Sequence, residues 1–512
     1  MEQAGEPSEY VSFPKQPTAT PKRRLITMCD GTWQNSYRRA NSGSSNIARI
    51  ARAIMPQSKD GKIPQILYYN PGIGTSRSAW KNFWGGEGFI DQIEQTYCFI
   101  SYNYLPGDEL FFYGFSRGAY MVRSISNLIL DFGILRKPGM SRFAELFKIY
   151  TSRETAARTK ALAELRTELV NNHLLIEGEK ITIKFIGCFD SVGVLGIPHI
   201  LPFIPSSYSF LDLQLKNRVE NAYHALALDE TRLLFRPVMW FFDPSSPHIE
   251  NYQQTWFTGA HINIGGGSMG KEIPGTGLLS VPAIVYLTKL CRRKLAAAMC
   301  RSRSRRLKAK KQQEAAYNTL SDGTLIWMIS KSRPFLDFDE DYLHCNIRAQ
   351  RISHEERGGP AGDGFHKPLD LFPELPGQLE SPWYNGPIAD NYYGMYMFWL
   401  VFGRHVRRVL GYTPKNGECG PAMSPRREGK KSRKGKKPAC SPTSSADSCA
   451  EQAITNECIH RSVLDRGTTH PALEAVYWGE ESEVVDDGMK KVEVEEYSDF
   501  ELEFWRDEKQ FP

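Results

Sequence analysis

The sequence predicts an α/β fold: a mainly parallel sheet with helices on both faces, plus low-complexity insertions. Short apolar runs of strand length alternate with stretches of helical spacing, the pattern of strands joined by crossover helices. Turn signals rich in Gly, Pro and Asp bound the runs. Two basic, compositionally simple stretches break the pattern in the second half of the chain.

Taken in order, residues 1–22 are polar and proline-bearing and read as disordered. Arg24 to Asp30 reads as a buried strand closed by the turn Asp30-Gly31-Thr32, and Gln65 to Asn70 as a second strand closed by Pro71-Gly72. Phe89 to Tyr104 has helical spacing of apolar residues. The turn Pro106-Gly107-Asp108 introduces a strand over Glu109 to Phe115, followed by a helix over Ala119 to Leu130. A strand over Ile181 to Phe189 enters Asp190. Thr255 to Ile264 reads as a further strand ending in Gly265-Gly266-Gly267, and Ser321 to Ser330 as a helix. The domain reading is a catalytic unit over 23–412 with a basic insertion near 269–318, a low-complexity basic loop over 413–450, and a C-terminal extension over 451–512 with an acidic tail.

Composition narrows the function classes. In 512 residues, no apolar run reaches the length of a membrane-spanning helix, and Gly277 to Leu290 is short and carries Pro282. Met1 to Arg24 lacks an apolar export segment. The ten cysteines form no CxxC pair, so reduced thiols and a cytoplasmic location are expected. Cys440, Cys449 and Cys458 recur every nine residues, too far apart for a typical metal site, and no metal or cofactor is expected. The net charge of +6 hides segregation: basic blocks at Arg292 to Lys311 and Arg426 to Lys437, and an acidic tail from Glu480 to Glu508. The basic blocks lack interleaved aromatics for base stacking, which argues against nucleic acid; transient contact with an anionic membrane surface is the other use of such charge.

Chemistry concentrates at Gly114-Phe115-Ser116-Arg117-Gly118, a G-x-S-x-G elbow between an apolar strand and a helix, which makes the predicted fold α/β-hydrolase-like. There a serine hydroxyl stands above the sheet at a helix N-terminus. The base must come later in the chain, with a carboxylate to orient it. Of eleven histidines, His261 is selected because it ends a strand and precedes three glycines. Asp190 is selected because it leaves a strand at its carboxyl end, where catalytic groups of such sheets gather. The expected oxyanion donors are the amide of Arg117 and the turn Gly31-Thr32.

Several ordered segments resemble the α/β-hydrolase family of type VI secretion phospholipase effectors, formerly a domain of unknown function. They are Asp30-Gly31-Thr32-Trp33, Tyr68-Tyr69-Asn70-Pro71-Gly72-Ile73-Gly74-Thr75, Pro106-Gly107-Asp108 leading into Gly114 to Tyr120, and Phe189-Asp190-Ser191-Val192-Gly193. They continue with His224-Ala225-Leu226-Ala227-Leu228-Asp229-Glu230, Trp256 to His261, and Leu320 to Trp327. The resemblance implies an esterase or phospholipase acting without a metal on a small-molecule or lipid ester. Carried onto this chain, its triad is Ser116, Asp190 and His261. Asn263 stands where the family often has an aspartate. The long segment between Gly267 and Leu320 is either a lid, with Gly277 to Leu290 its apolar part, or a gene-model artefact. His224 to Glu230 reads as an amphipathic structural helix. Two other classes compete with the enzyme: a hydrolase-like scaffold that has lost catalysis and binds partners, and a nucleic-acid binder with basic arms.

Overall fold

Eight strands run parallel in one sheet, in the order β2-β1-β3-β6-β7-β8-β9-β12. In chain order these are β1 (Arg24–Cys29), β2 (Gln65–Asn70), β3 (Glu109–Phe115), β6 (Ile183–Phe189), β7 (Asn221–Ala227), β8 (Asn251–Phe257), β9 (Glu457–His460) and β12 (Glu493–Glu495). Two small pairs stand apart: β4 (Gly133–Leu135) with β5 (Leu175–Glu177), and β10 (Val476–Tyr477) with β11 (Lys490–Lys491). This computed structural model describes residues 22–31, 44–72, 87–152, 155–193, 214–232, 235–240, 251–267, 320–355, 457–460, 462–463, 476–477, 490–491 and 493–507. The predicted insertion near 269–318, the segment Gly277 to Leu290 and both basic blocks lie outside them.

The central strands β1, β3 and β6 are apolar on both sides because both faces of the sheet are covered there. In β1, Leu25 and Cys29 face one core while Ile26 and Met28 face the other; in β3, Leu110 and Phe112 oppose Phe111, Tyr113 and Phe115. The first core is closed by helices Glu87–Asn103, Arg117–Asp131, Phe143–Tyr150 and Thr155–Asn171. The second is closed by Asn46–Ala53, the helix 320–332, Glu340–Glu355 and Asp499–Asp507. Asn46–Ala53 shows the local logic: Ile47, Ile50 and Ala53 share the buried face, and the Ser45 hydroxyl caps the start by accepting the Ala48 N–H at 3.1 Å.

Three expectations need correction. His224 to Glu230 is no helix: His224 lies within β7, between β6 and β8, and the chain turns at Leu228. A short run of alanine and leucine suits a strand buried on both faces as well as it suits a helix. The strand expected over Thr255 to Ile264 ends at Phe257, and His261 opens a short helix, His261–Gly265. Parts of the expected C-terminal extension with its acidic tail are built into the fold. Glu495 of β12 accepts from Thr255 Oγ1 at 2.8 Å and Trp327 Nε1 at 3.0 Å, and pairs with Lys331 at 2.5 Å.

Candidate functional site

The strand order reverses direction at β1: the chain passes from β1 to β2 on one side, then to β3 on the other. In open parallel sheets the crevice outside the carboxyl ends at such a switch point is where ligands bind. Asp30 and Gly31 leave β1 at that end, and Ser116 leaves β3.

Ser116 occupies a sharp corner. Its backbone is in the left-handed region (φ 58°, ψ −123°), and it is the N-cap of the helix Arg117–Asp131. The neighbouring chain allows that corner only because residues 114 and 118 lack side chains. A Cβ on Gly114 would stand 2.5 Å from Ala119 Cα, and one on Gly118 would stand 2.2 Å from the Cys29 carbonyl oxygen. The corner is pinned by the Ser116 N–H donating to Phe189 O at 3.0 Å and by the Val192 N–H donating to Ser116 O at 3.3 Å.

The sequence-selected trio converges here. Ser116 Oγ lies 2.8 Å from His261 Nε2, and His261 Nδ1 lies 2.6 Å from Asp190 Oδ2. All three residues are buried. Asp190 also has a positive φ (39°), and its other oxygen, Oδ1, accepts the Ala227 N–H at 3.0 Å. An ionised carboxylate only accepts, so the Nδ1 proton is held on the aspartate side and the Nε2 lone pair faces the serine. Burial holds the imidazole below its ordinary value near 6.5, against the opposing pull of Asp190.

Arg117 is the first residue of the helix behind Ser116, so its amide sits at the positive end of the dipole. Gly31 packs against the Phe115 ring, and its N–H donates to Asp30 Oδ1 at 2.7 Å. Thr32 lies outside the described residues. Asp30 is itself fully engaged: Ser45 Oγ and the Tyr69 hydroxyl both donate to Oδ2 at 2.5 Å. Its burial pushes its pKa up to about 6 against these hydrogen bonds. Asn263 accepts the Ala260 N–H at 3.0 Å and so closes the turn that starts the His261 helix. Among the described residues no group of His, Cys, Asp or Glu is arranged to hold a metal, and no helix is long and apolar enough to cross a membrane.

Sequence reasoning missed three groups around this site. His224 Nε2 accepts the Ser191 N–H at 3.0 Å while its Nδ1 meets Gln254 Oε1 at 3.2 Å, fixing the turn that carries Asp190. Glu230 accepts the His261 N–H at 3.3 Å, and Arg232 pairs with Glu230 at 2.7 Å. The His-Ala-Leu-Ala-Leu-Asp-Glu motif held the signal, but taking it for a helix hid its direction.

A family model described as "T6SS, Phospholipase effector Tle1-like, catalytic domain" matches residues 23–331. The uncharacterized protein YEL023C of Saccharomyces cerevisiae is 26% identical over 245 residues, 44% of this chain and 34% of its own length. Two solved structures also match. The Tle1 effector bound to the VgrG spike of the type 6 secretion system is 20% identical over 52% of this chain and 56% of its own, with a TM-score of 0.28. An uncharacterized protein from Pseudomonas aeruginosa is 18% identical over 48% of this chain and 42% of its own, with a TM-score of 0.29. The chain thus spans about a third of the yeast relative and about half of the Tle1 chain. Because the family's pattern runs through more than half of its residues, the chain belongs to the Tle1-like phospholipase effector catalytic-domain family.

Proposed function

We propose that this protein is a serine hydrolase that cleaves carboxylic esters, phospholipid acyl esters among them, through Ser116, His261 and Asp190. The single observation that carries the reading is the unbroken line of hydrogen bonds from Ser116 Oγ through the imidazole to Asp190. Ser116 Oγ attacks the ester carbonyl carbon as His261 Nε2 takes its proton. The carbonyl oxygen becomes an oxyanion facing the Arg117 amide, with Thr32 left as the second expected donor because the Gly31 N–H is already given to Asp30 Oδ1. Collapse breaks the carbon–oxygen bond to the alcohol, which takes its proton from His261, and leaves an acyl-serine. Water, deprotonated by His261, then releases the acid and restores Ser116. Asp190 holds the tautomer and stabilises the imidazolium formed at each step.

The lipid part of the reading rests on the family. A lipid substrate brings the protein to a membrane surface, and the basic blocks at Arg292 to Lys311 and Arg426 to Lys437 supply charge for anionic lipid. The test is covalent labelling by a fluorophosphonate, comparing wild type with Ser116→Ala. Labelling only of the wild type is expected; equal labelling removes Ser116 from the mechanism. A panel of short esters and phospholipids then separates esterase from phospholipase.

A further inference from the structure

The segment after β7 turns two consecutive carboxylates onto the corner that carries His261. Asp229 Oδ2 accepts the Gly259 N–H at 2.6 Å, and the Asp229 N–H donates to Gly259 O at 3.0 Å. Glu230 Oε2 accepts the N–H of His261 itself at 3.3 Å. The His261 amide opens a short helix, where N–H groups lack partners within the helix, and Gly259 lies just before its N-cap Ala260, so carboxylates are the natural acceptors.

A second carboxylate this close to a base alters it, unless its charge is cancelled. Arg232 supplies the cancellation in a fork: Nε donates to Glu230 Oε1 at 2.8 Å and Nη2 to Oε2 at 2.7 Å. The backbone N–H of Arg232 also donates to Oε1, at 2.8 Å. Both side chains are buried. The guanidinium lies 3.6 Å above the Phe235 ring, and Phe235 meets the imidazole edge-on with centroids 4.9 Å apart. The pair therefore holds His261 twice, through its backbone from Glu230 and through its ring by way of Arg232 and Phe235.

We infer that Glu230 and Arg232 form a charge-neutral clamp that positions His261 without displacing the pH range in which its imidazole is neutral. The catalytic consequence rests on the serine-hydrolase reading; the effect on the imidazole does not. Among the described residues, the charged groups that act on the ring are Asp190 after β6 and the Glu230–Arg232 pair after β7. Asp229 is turned to Gly259, and Asp30 is bound by Gly31, Ser45 and Tyr69. His460, stacked on Phe257, pairs with Glu501 at 3.4 Å. Within the pair the signs oppose: Glu230 favours the imidazolium and Arg232 disfavours it.

The experiment is an NMR titration of full-length protein carrying ¹³C-labelled histidine, with the His261 signal assigned by its loss in His261→Gln. Arg232→Gln removes the cation that opposes Glu230 and raises the His261 midpoint, by on the order of one pH unit. Glu230→Gln removes the anion that opposes Arg232 and lowers it. The double variant returns the midpoint to the wild-type position, and Arg232→Lys, which keeps the charge, leaves it in place. Single-variant shifts in the same direction, or none in folded protein, overturn the clamp. If the singles do not fold, Arg232→Lys and the double variant decide: displacement of either midpoint by as much as one pH unit overturns it. The readout is independent of turnover, so failure of the clamp is distinct from failure of the hydrolase reading, which Ser116→Ala tests.

Discussion

Gly118 lies directly against the end of β1: a Cβ placed on it would stand 2.2 Å from the carbonyl oxygen of Cys29 and 2.6 Å from that of Asp30. Backbone on both sides leaves nothing flexible to yield. Gly118→Ala is therefore expected to push the helix Arg117–Asp131 away from β1 and to displace Ser116 from His261. Fluorophosphonate labelling should fall at least tenfold, the cost of misplacing a nucleophile by a fraction of an ångström being of that order or more, roughly. Wild-type labelling rates in the alanine variant would show that this contact does not shape the elbow.

His261 has a pKa held below its ordinary value by burial, so its neutral form, the base of the proposed mechanism, persists into mildly acidic solution. The acidic limb of kcat/KM for ester hydrolysis is expected to have its midpoint below pH 6.5, activity falling as pH drops through it. Asp190→Asn should lower kcat by on the order of ten-thousand-fold, because an amide can hold the wrong tautomer. A pH–rate profile of both proteins checks the pair; a midpoint above 7 would contradict the buried, neutral imidazole.

Asp30 is a buried acid whose pKa rises from 3.8 to about 6 on folding. Between those values the folded protein binds more protons than the unfolded chain, so this residue's contribution to stability declines as pH rises through the window and is level above it. Asp30→Asn removes that slope. Denaturation at pH 4 and pH 7 should show the variant gaining on the wild type, by on the order of 2–3 kcal/mol across the window. A difference that does not change with pH would place the carboxylate in a different environment.

Glu495 joins β12 to β8 and to the helix 320–332 through Thr255, Trp327 and Lys331. Glu495→Ala strands an indole N–H, a hydroxyl and a partly buried ammonium together. A loss of about 3 kcal/mol is expected in chemical denaturation. Unchanged stability would mean that the C-terminal strands do not brace the sheet.

The early strands were legible because strands buried on both faces carry continuous apolar runs, and β1, β2, β3 and β6 each end in a turn or an elbow. Ser116 was legible from the elbow, and Asp190 from its place at a strand's carboxyl end. His261 was selected for its glycines although its local structure was misread: it starts a helix instead of ending a strand. The same apolar continuity misled at β7, where alanine and leucine gave no alternation to tell strand from helix. The Glu230–Arg232 pair was hidden with it. Glu495 could not be read at all, because its partner Thr255 lies 240 residues earlier and acidic residues in a polar stretch carry no local mark of burial.

That separation shapes how the chain is made. During synthesis β8 leaves the ribosome long before β9 and β12, so its pairing with β9 waits until the intervening segment is translated. The edge of β8 that β9 covers in the finished sheet gains that cover late. Sealing it requires a late pairing between distant stretches, the slowest kind to form. Yield in a foreign host should thus depend on holding chaperones and translation speed more than on the durability of the finished fold.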